Sequence, residues 1–429
     1  MTDTTPSRPT CVLAYSGGLD TSVAIPWMRE NLGYDVVALS IDLGEAKDLD
    51  TVRQRALRTG AVGAVVVDAR RLFVENFAFP SLMAGAMYEG VYPLATALGR
   101  PLIAKLMVDL ARQEGAVAVA HGCTGKGNDQ VRFDVATAAL APELQVVAPV
   151  RDWDMGRSDE IRYAEEHGIE VPATRESPYS IDANLWGRSV ETGILEDPWE
   201  EPPADVFAWT RDPEDCPPGG VVVEIGFESG RPVSLDGEML AAEELVARLN
   251  AIAGEHGVGR IDHVENRLVG IKSREVYEAP AAITLMTAHD ALETLTLARE
   301  VMRFKRVVAD EWARLVYDGL WFSALRHDLW AFVRSTQEFV TGEVRLRLER
   351  GSVRVVGRKA RQSLYRLDLA TYDRAGDRFS HTAARGFIEL FGLSLRTQTD
   401  VQGALGEASR RLLPERVDRL GPGDSGGAG

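Results

Sequence analysis

The sequence predicts an α/β protein in which a parallel sheet covered by helices precedes an α+β region and a C-terminal helix. Residues 11–150 alternate short, valine-rich apolar runs with longer helical patterns. Strands that read as continuous apolar runs, separated by helices, are typical of a parallel sheet buried on both faces. Beyond residue 220 the apolar runs come in pairs around short turns, which is typical of antiparallel hairpins.

The first region is predicted to alternate strands and helices along its whole length. Strands are expected at residues 11–15, 36–41, 64–67, 117–120 and 146–150. Helices are expected at residues 20–31, 49–59, 70–79, 102–114 and 129–140. A further helix opens at Ser158, whose hydroxyl is a suitable N-cap, and closes at Gly168.

The second region begins after a change in composition. Residues 170–220 are rich in proline and tryptophan with little periodicity, which predicts a long ordered connector. Hairpins follow at residues 221–235 and 344–358, and an amphipathic helix at residues 393–413. We therefore predict domains at 11–170 and 171–392, a C-terminal helix for oligomerisation at 393–420, and disordered tails at 1–10 and 421–429.

The composition excludes several classes of protein. The 429 residues carry 48 Lys and Arg against 64 Asp and Glu, a net charge of −16, which disfavours broad nucleic-acid binding. Neither a membrane span nor a signal peptide is recognised, so we expect a cytoplasmic protein without membrane or nucleic-acid partners. Cys11, Cys123 and Cys216 form no close pair, which predicts reduced thiols.

A glycine-rich loop, A-Y-S-G-G-L-D-T-S at residues 14–22, lies between the first strand and the first helix. Gly17 and Gly18 permit backbone conformations in which several N–H groups converge on one anion, and the helix N-terminus adds positive charge. Ser16, Thr21 and Ser22 add hydroxyl donors. A simple strand-to-helix turn would also use glycines, but the whole pattern in this context favours a phosphate site. It is not a Walker sequence, because the nearest candidate, residues 122–126, has the wrong spacing.

A second loop, H-G-C-T-G-K-G-N-D-Q-V-R at residues 121–132, also follows a strand and precedes a helix. Asn128 is a suitable helix cap and Asp129 suits the first turn. Helix capping does not explain Thr124, Lys126 and Arg132, which form a local cluster of anion donors in an acidic chain. Because both loops follow strands of one parallel sheet, we expect them to lie beside the same crevice.

Together the two loops resemble the argininosuccinate synthase family, which combines the first loop with H-G-x-T-G-K-G-N-D-Q-V-R-F. The first loop alone is similar to the phosphate loop of the N-type ATP pyrophosphatases. Further matches lie at residues 177–185, 191–198, 256–262, 264–267 and 272–277. The resemblance extends from about residue 12 to about residue 392, which is too wide for chance.

The resemblance implies an adenine nucleotide alpha-hydrolase-like domain followed by a synthetase domain. It implies a ligase of arginine biosynthesis that joins L-citrulline and L-aspartate through a citrullyl-AMP intermediate and releases AMP and pyrophosphate. ATP with Mg²⁺ would be the substrate complex, and the enzyme would be a homotetramer. Activation is chemically necessary because a ureido carbon is a poor electrophile, and alignment of three substrates supplies much of the remaining acceleration.

The resemblance also implies roles for individual residues. ATP would be bound by Ala14, Tyr15, Ser16, Gly17, Gly18, Leu19, Asp20, Thr21, Ser22, Ile41 and Gly122. Aspartate would be bound by Thr124, Asn128 and Asp129. Citrulline would be bound by Tyr92, Asn128, Arg132, Ser180, Ser189, Glu265 and Tyr277. Asp20, Asn128 and Asp129 are the candidate catalytic residues, Asp20 organising either magnesium or the loop. Without the resemblance, the tyrosines, serines and charged residues of the citrulline set would read as ordinary structural or surface positions.

The chain departs from the family pattern at two positions. Ala97 stands where many members have a citrulline-contacting serine, and Thr96 or water is expected to supply the missing hydroxyl. Ala120 stands where some relatives have serine. His121 fits either a phosphate contact or a packed neutral imidazole, and the group that takes the proton from aspartate is left open between protein and substrate phosphate. The histidines show no zinc-ligand spacing, so no protein-bound metal is expected.

Three other functions are alternatives to this one. A tRNA-modifying adenylase would need a basic surface and often catalytic cysteines, which the charge and the isolated Cys123 disfavour. An amidotransferase-coupled enzyme would need an ammonia source. A nucleotide-sensing regulator without catalysis would bind ATP and never cleave it.

Overall fold

The computed structural model describes residues 8–45, 48–170, 179–373 and 375–410. The chain divides into two compact units, Met1–Leu364 and Tyr365–Gly429. The predicted tail at 421–429 lies outside the described residues, as does most of the one at 1–10. The domain boundaries at residues 170 and 392 stay predictions.

The secondary structure alternates in the first part of the chain as predicted. The strands are β1 Thr10–Ala14, β2 Asp35–Asp42, β3 Gly63–Asp68, β4 Ala118–Ala120, β5 Gln145–Val147, β6 Ser180–Asn184, β7 Gly187–Glu191, β8 Val221–Glu228, β9 Arg231–Leu235, β10 Glu238–Met239, β11 Arg260–Asn266, β12 Lys272–Glu278, β13 Gly342–Glu349 and β14 Ser352–Ala360. The helices are α1 Leu19–Asn31, α2 Leu49–Arg58, α3 Arg70–Phe73, α4 Phe79–Ala84, α5 Ala95–Glu114, α6 Asn128–Leu140, α7 Pro149–Asp152, α8 Arg157–Glu166, α9 Ala242–Glu255, α10 Pro280–Thr296, α11 Arg299–Tyr317, α12 Ala324–Thr336, α13 Leu367–Ala370, α14 His381–Phe391 and α15 Leu393–Gln402.

The first five strands form one parallel sheet in the order β3-β2-β1-β4-β5. Leu13 of β1 packs into an apolar cluster on one face and Val12 into a cluster on the other. The sheet is therefore covered on both sides, which confirms the fold class predicted from the apolar runs. Because β1 and β4 are neighbours, the segments that follow them, residues 15–18 and 121–127, leave the same edge of the sheet side by side.

Some predicted boundaries in this region were wrong. Strand β5 ends at Val147 because Pro149 begins a short helix, where its fixed φ is favourable and its missing N–H costs nothing. Helix α5 begins at Ala95, well before residue 102, and accommodates Pro101 in its interior. Helix α8 is preceded by Gly156, whose N–H donates to Asp159 Oδ2 at 3.1 Å, so Ser158 is not its cap.

The second region contains two antiparallel sheets. Both predicted hairpins are confirmed: β8 pairs with β9 and β13 with β14, and these strands form one sheet in the order β10-β9-β8-β13-β14. The prediction of a connector over residues 170–220 was wrong where β6 and β7 form, because they join β11 and β12 in a second sheet. These strands are polar and pair with each other, and the sheet is completed only by β12 and β11 from residues 260–278. Residues 171–178 lie outside the described part.

The C-terminal unit contains the short helices α13, α14 and α15. Its predicted amphipathic helix at 393–413 is shorter in the structure, since α15 ends at Gln402, and residues 411–420 lie outside the described part. On α14 the large apolar side chains of Phe387, Ile388, Leu390 and Phe391 are exposed. Across the described residues, no helix is long and apolar enough to cross a membrane.

Candidate active site

One cavity of about 790 Å³ lies at the edge of the parallel sheet. The segments after β1 and β4 line one part of it, and β6, β7, β11 and β12 line another. Predicted site residues that line the cavity are Ala14, Tyr15, Ser16, Gly17, Gly18, Thr21, Ile41, Tyr92, Gly122, Asn128, Asp129, Arg132, Ser180, Ser189, Glu265 and Tyr277. The structure therefore brings together most of the predicted set; Leu19, Asp20, Ser22 and Thr124 are outside this lining.

The first loop, residues 15–18, is held in an anion-binding shape by its own side chains. Gly17 has φ +78°, a conformation in which a side chain would be strained. The Ser16 hydroxyl lies 3.1 Å from Thr21 Oγ1 and accepts from Gly18 N–H at 3.3 Å. The N-terminus of α1 begins directly after Gly18, so free N–H groups and the positive end of the helix dipole meet at the cavity.

Three of the four predicted residues outside the cavity lining, Leu19, Asp20 and Ser22, lie in the first turn of α1, directly after the loop. Leu19 is packed in the apolar cluster beside β1, and the Ser22 hydroxyl lies 2.9 Å from the Tyr15 hydroxyl. Asp20 forms an ion pair with Arg157, 3.0 Å away. Burial, together with the nearby Asp20 carboxylate, raises the pKa of Glu160 to about 7. This end of α1 therefore carries a carboxyl that changes charge near neutral pH.

The two loops touch each other at Gly122. A Cβ atom at this position would lie only 2.8 Å from Thr21 Cγ2 of α1. Glycine is required here by the close approach of the loops, not by an unusual backbone angle. The contact places the backbone after β4 directly beside the phosphate loop.

His121 anchors the second loop, residues 121–127. Its Nδ1 accepts the N–H of Cys123 at 3.2 Å, and its Nε2 lies 2.9 Å from Asp134 Oδ1. This pairing places the proton on Nε2 of a neutral imidazole, because Nδ1 must keep its lone pair. Asp134 also receives Arg151 Nη1 at 2.8 Å. His121 also lines the cavity, so the two readings left open by the sequence, a phosphate contact and a packed imidazole, both stay predictions.

Asn128 does not cap its helix, contrary to the expectation from its position. Its Nδ2 donates to the Tyr317 hydroxyl at 2.8 Å, and its Oδ1 accepts from Leu268 N–H at 2.9 Å. Gly127 precedes the helix without a side-chain cap. The amide is used instead to join the second loop to two segments far away in the sequence.

Asp129 lies between two arginines. Its Oδ1 receives Arg132 Nη1 and its Oδ2 receives Arg100 Nη2, both at 2.8 Å. Burial raises the pKa of Asp129, but the two guanidinium groups outweigh it and hold the pKa at about 2. Arg100 also pairs with Asp182, and Arg132 Nε donates to Tyr317 O at 2.9 Å. Asp129 is therefore an anion at every pH near neutrality.

A buried cluster of phenols surrounds Glu265. Its two carboxylate oxygens accept hydrogen bonds from Tyr277 and Tyr317, each at 2.5 Å. Burial raises the pKa of both phenols well above the ordinary value, so they remain protonated donors. Tyr92 stacks on Tyr277 with ring centroids 4.1 Å apart. The result is a rigid, aromatic pocket with one acidic group at its centre.

Hydroxyl groups line the neighbouring part of the cavity. Thr96 Oγ1 lies 3.4 Å from Ser189 Oγ, whereas Ala97 is fully buried and does not line the cavity. Thr96 therefore supplies a hydroxyl beside the position where Ala97 lacks one. Ser180 and Ser189 occupy the paired strands β6 and β7.

Sequence reasoning missed a group of charged residues in the same cavity. Arg267 forms ion pairs with both Glu191 and Glu275, the second at 2.6 Å. Burial and the carboxylates of Glu191 and Glu265 raise the pKa of Glu275, and the Arg267 guanidinium opposes this shift. Glu191, Arg267 and Glu275 lie within or directly beside motifs already matched to the family, which was the available signal. Arg100 and Tyr317 had no such signal.

The cysteines behave as the sequence predicts within the described residues, where all three are free. Cys123 lines the cavity, but burial, with a further contribution from the Asp129 carboxylate, raises the pKa of its thiol well above the ordinary value. A neutral thiol is a poor nucleophile, which further disfavours cysteine-based catalysis.

The fold and the loop after β1 define a nucleotide-binding protein of the HUP class, in which a parallel sheet presents an anion-binding loop. The family model for the arginosuccinate synthase N-terminal HUP domain matches residues 10–170, and the model for the arginosuccinate synthase C-terminal domain matches residues 179–398. The chain belongs to the argininosuccinate synthase family.

Curated relatives agree over nearly the whole chain. The argininosuccinate synthase of Symbiobacterium thermophilum is 59% identical, covering 92% of this chain and 99% of the relative. That of Oceanobacillus iheyensis is 57% identical over 93% and 95%. That of Rubrobacter xylanophilus is 57% identical over 93% and 98%. The chain is thus an ATP-using ligase of arginine biosynthesis that acts on small molecules.

Proposed function

We propose that the enzyme condenses L-citrulline with L-aspartate through a citrullyl-AMP intermediate. The observation that carries this proposal is the single cavity shared by the phosphate loop, the Asp129 loop and the Glu265 cluster. Three substrates must meet for this reaction, and one continuous cavity offers an anion-binding end and two sites suited to amino acids. Such alignment converts a reaction of separate molecules into one of neighbouring groups.

In the first step, the ureido oxygen of citrulline forms a bond to the α-phosphorus of ATP. The bond from that phosphorus to the bridging oxygen breaks, and pyrophosphate leaves with the electron pair. The N–H groups of Ser16 and Gly17 and the α1 N-terminus are the donors proposed to bind the phosphates, because the N–H of Tyr15 donates to Leu39 O and that of Gly18 to Ser16 Oγ. Asp20 is paired with Arg157 outside the cavity lining, which favours organisation of the loop over contact with magnesium.

Citrulline is proposed to lie against the Glu265 cluster. The carboxylate of Glu265 suits the substrate ammonium, and the Arg132 guanidinium suits the substrate carboxylate. Tyr92, Tyr277, Ser180 and Ser189 complete the set, with Asn128 between this pocket and the aspartate position. The phenols that donate to Glu265 hold its carboxylate in one orientation, so little ordering is needed when citrulline binds.

In the second step, the amine of aspartate attacks the ureido carbon, AMP leaves with its electron pair, and the amine loses a proton. Asp129 and Asn128 are proposed to hold aspartate. Thr124 lies on the same loop outside the cavity lining, and its contact with aspartate is part of the proposal. His121 is a poor proton acceptor here, because the Cys123 N–H already occupies Nδ1 and Nε2 carries the proton. The phosphate of the leaving AMP is the acceptor we propose.

Mg²⁺ is proposed to enter with ATP as part of the substrate complex. Within the described residues, no group of three His, Cys, Asp or Glu side chains is arranged to hold a metal ion. Mg²⁺ commonly keeps several waters and binds through substrate phosphates with only one or two carboxylates. Cytoplasmic location and domain boundaries near residues 170 and 392 are part of the same proposal.

The homotetramer is proposed from the family together with the exposed apolar side chains of α14. Large exposed apolar patches usually mark an interaction surface. Light scattering is expected to report a mass four times that of the chain. A stable monomer would contradict the proposal.

Omitting each substrate in turn tests the reaction. The protein is incubated with ATP, Mg²⁺, citrulline and aspartate, and products are identified by mass spectrometry. AMP, pyrophosphate and argininosuccinate are expected together only in the complete mixture. AMP release that depends on citrulline but ignores aspartate would refute the second substrate, and the absence of AMP would refute the reaction and favour a nucleotide sensor.

A further inference from the structure

The phosphate end of the cavity has little positive charge of its own. The polyphosphate of ATP carries several negative charges, and a phosphate loop of the Walker type contains a lysine that binds them. The loop at residues 14–22 contains no lysine or arginine. Its N–H groups and helix dipole supply only partial charges, so any full positive charge that the protein adds to that of the Mg²⁺ proposed to enter with ATP comes from elsewhere in the fold.

Four arginines line the cavity in the described part of the chain, and three of them form ion pairs with carboxylates. Arg100 pairs with Asp129 and Asp182, Arg132 pairs with Asp129, and Arg267 pairs with Glu191 and Glu275. The fourth is Arg55, for which no carboxylate partner is found among the described residues. Its charge is thus available to a ligand.

Arg55 lies directly against the phosphate loop. Its Nη1 donates to Gly17 O at 2.6 Å, and a Cβ atom at Gly17 would lie 3.3 Å from the same nitrogen. The side chain is partly buried, and it reaches the cavity from helix α2, where Val52 packs on the loop. One hydrogen bond uses one of its five N–H donors, which leaves the rest of a planar, permanently charged group at the edge of the anion site.

We propose that Arg55 binds the β- and γ-phosphates of ATP and, after the first step, the pyrophosphate that leaves. This deepens the proposed function, on which it rests for the identity of the leaving group. The guanidinium supplies the full positive charge that the loop lacks, at the side of the loop facing α2. Charge on the departing oxygen is stabilised most when such a donor is already oriented before reaction.

The test measures direct binding, so that it does not depend on catalysis. Dissociation constants of pyrophosphate and of AMP are determined by titration calorimetry for the wild type and for Arg55→Gln and Arg55→Lys. Glutamine keeps an N–H that can donate to Gly17 O but loses the charge, whereas lysine keeps the charge. Circular dichroism checks folding. Arg53→Ala is the matched control, because it removes the same charge from the same helix outside the cavity lining.

We expect Arg55→Gln to weaken pyrophosphate binding about tenfold or more, in line with the loss of a charge-assisted hydrogen bond, and to leave AMP binding within about twofold. Arg55→Lys should recover part of the loss, and Arg53→Ala should change neither constant. The KM for ATP should rise in the same order as the pyrophosphate constant.

Three results would overturn the proposal: unchanged pyrophosphate binding in Arg55→Gln, an equal loss of AMP binding, or an equal effect of Arg53→Ala. An equal loss of AMP would mean that Arg55 only holds the loop. If Arg55→Gln does not fold, Arg55→Lys is compared with the wild type instead. Weaker binding of pyrophosphate with unchanged binding of AMP would support the proposal, and an equal change in both affinities would overturn it. Failure of the wild type to make argininosuccinate would refute the proposed function while leaving the pyrophosphate titrations interpretable.

Discussion

Replacing Asp129 by asparagine should separate the two chemical steps. The carboxylate is proposed to bind the ammonium of aspartate, a substrate that takes part only in the second step. Asparagine has nearly the same shape but no charge. Arg132 keeps its hydrogen bond to Tyr317 O and Arg100 keeps Asp182, so the citrulline and ATP sites should remain assembled.

Two magnitudes are expected, one for the rate of the second step and one for the stability of the fold. Loss of a charge-assisted hydrogen bond costs about 1.5–3 kcal/mol, so the second step should slow about 10- to 100-fold at limiting aspartate. The fall of the pKa of Asp129 from 3.8 to about 2 corresponds to about 2 kcal/mol of folding free energy. Because the folded pKa is the lower one, this contribution is complete above pH 3.8 and is lost as the pH falls toward 2.

The assay measures each step separately at neutral pH. Exchange of labelled pyrophosphate into ATP with citrulline alone reports the first step, and argininosuccinate formation reports the second. Urea unfolding measures stability, and Asp109→Asn, at an exposed surface position, is the control. We expect near-normal exchange, a slowed second step and a stability loss of about 2 kcal/mol. An equal loss in both steps would refute the assignment of Asp129 to aspartate.

Three further predictions concern the loop, the Glu265 cluster and pH. Gly17→Ala should destabilise the loop conformation by about 1–2 kcal/mol, because φ is +78° and a Cβ would lie 3.2 Å from Val52. Steady-state kinetics should show a raised KM for ATP with little change in the KM for aspartate, and an unchanged KM for ATP would be inconsistent with a phosphate loop. Tyr317→Phe removes the hydroxyl that donates to Glu265 and accepts from Asn128, so the KM for citrulline should rise about tenfold. An unchanged KM for citrulline in steady-state kinetics would exclude the Glu265 cluster from the citrulline site. Folding raises the pKa of Glu160 from 4.5 to about 7, so the folded state binds more protons between these pH values and the contribution of Glu160 to stability declines as the pH rises from about 4.5 to 7. Between pH 5 and pH 8, the free energy of unfolding in urea should therefore fall less for Glu160→Gln than for the wild type, with Glu166→Gln, at an exposed position, as control. Equal falls in the two proteins would show that Glu160 titrates normally.

The β/α alternation and the two loops could be predicted because their signals are local. A buried parallel strand must be apolar over its whole length, and a loop that binds phosphate with its backbone needs glycines at fixed positions beside a helix N-terminus. Both signals are contained in about ten consecutive residues. Capping was predicted less well: Asn128 has the right type and position for a cap, yet its amide bonds to Tyr317 and Leu268 instead.

The sequence by itself determined the parallel sheet, the phosphate loop and, through the family motifs, most of the residues around the cavity. Only the tertiary structure decided which charges are engaged. Arg100 and Arg132 both form ion pairs with Asp129, and Arg267 forms ion pairs with two glutamates. Arg55 is the one arginine among the described cavity residues without a carboxylate partner. An ion pair depends on distances of a few ångströms between residues far apart in the chain, and no local pattern encodes those distances.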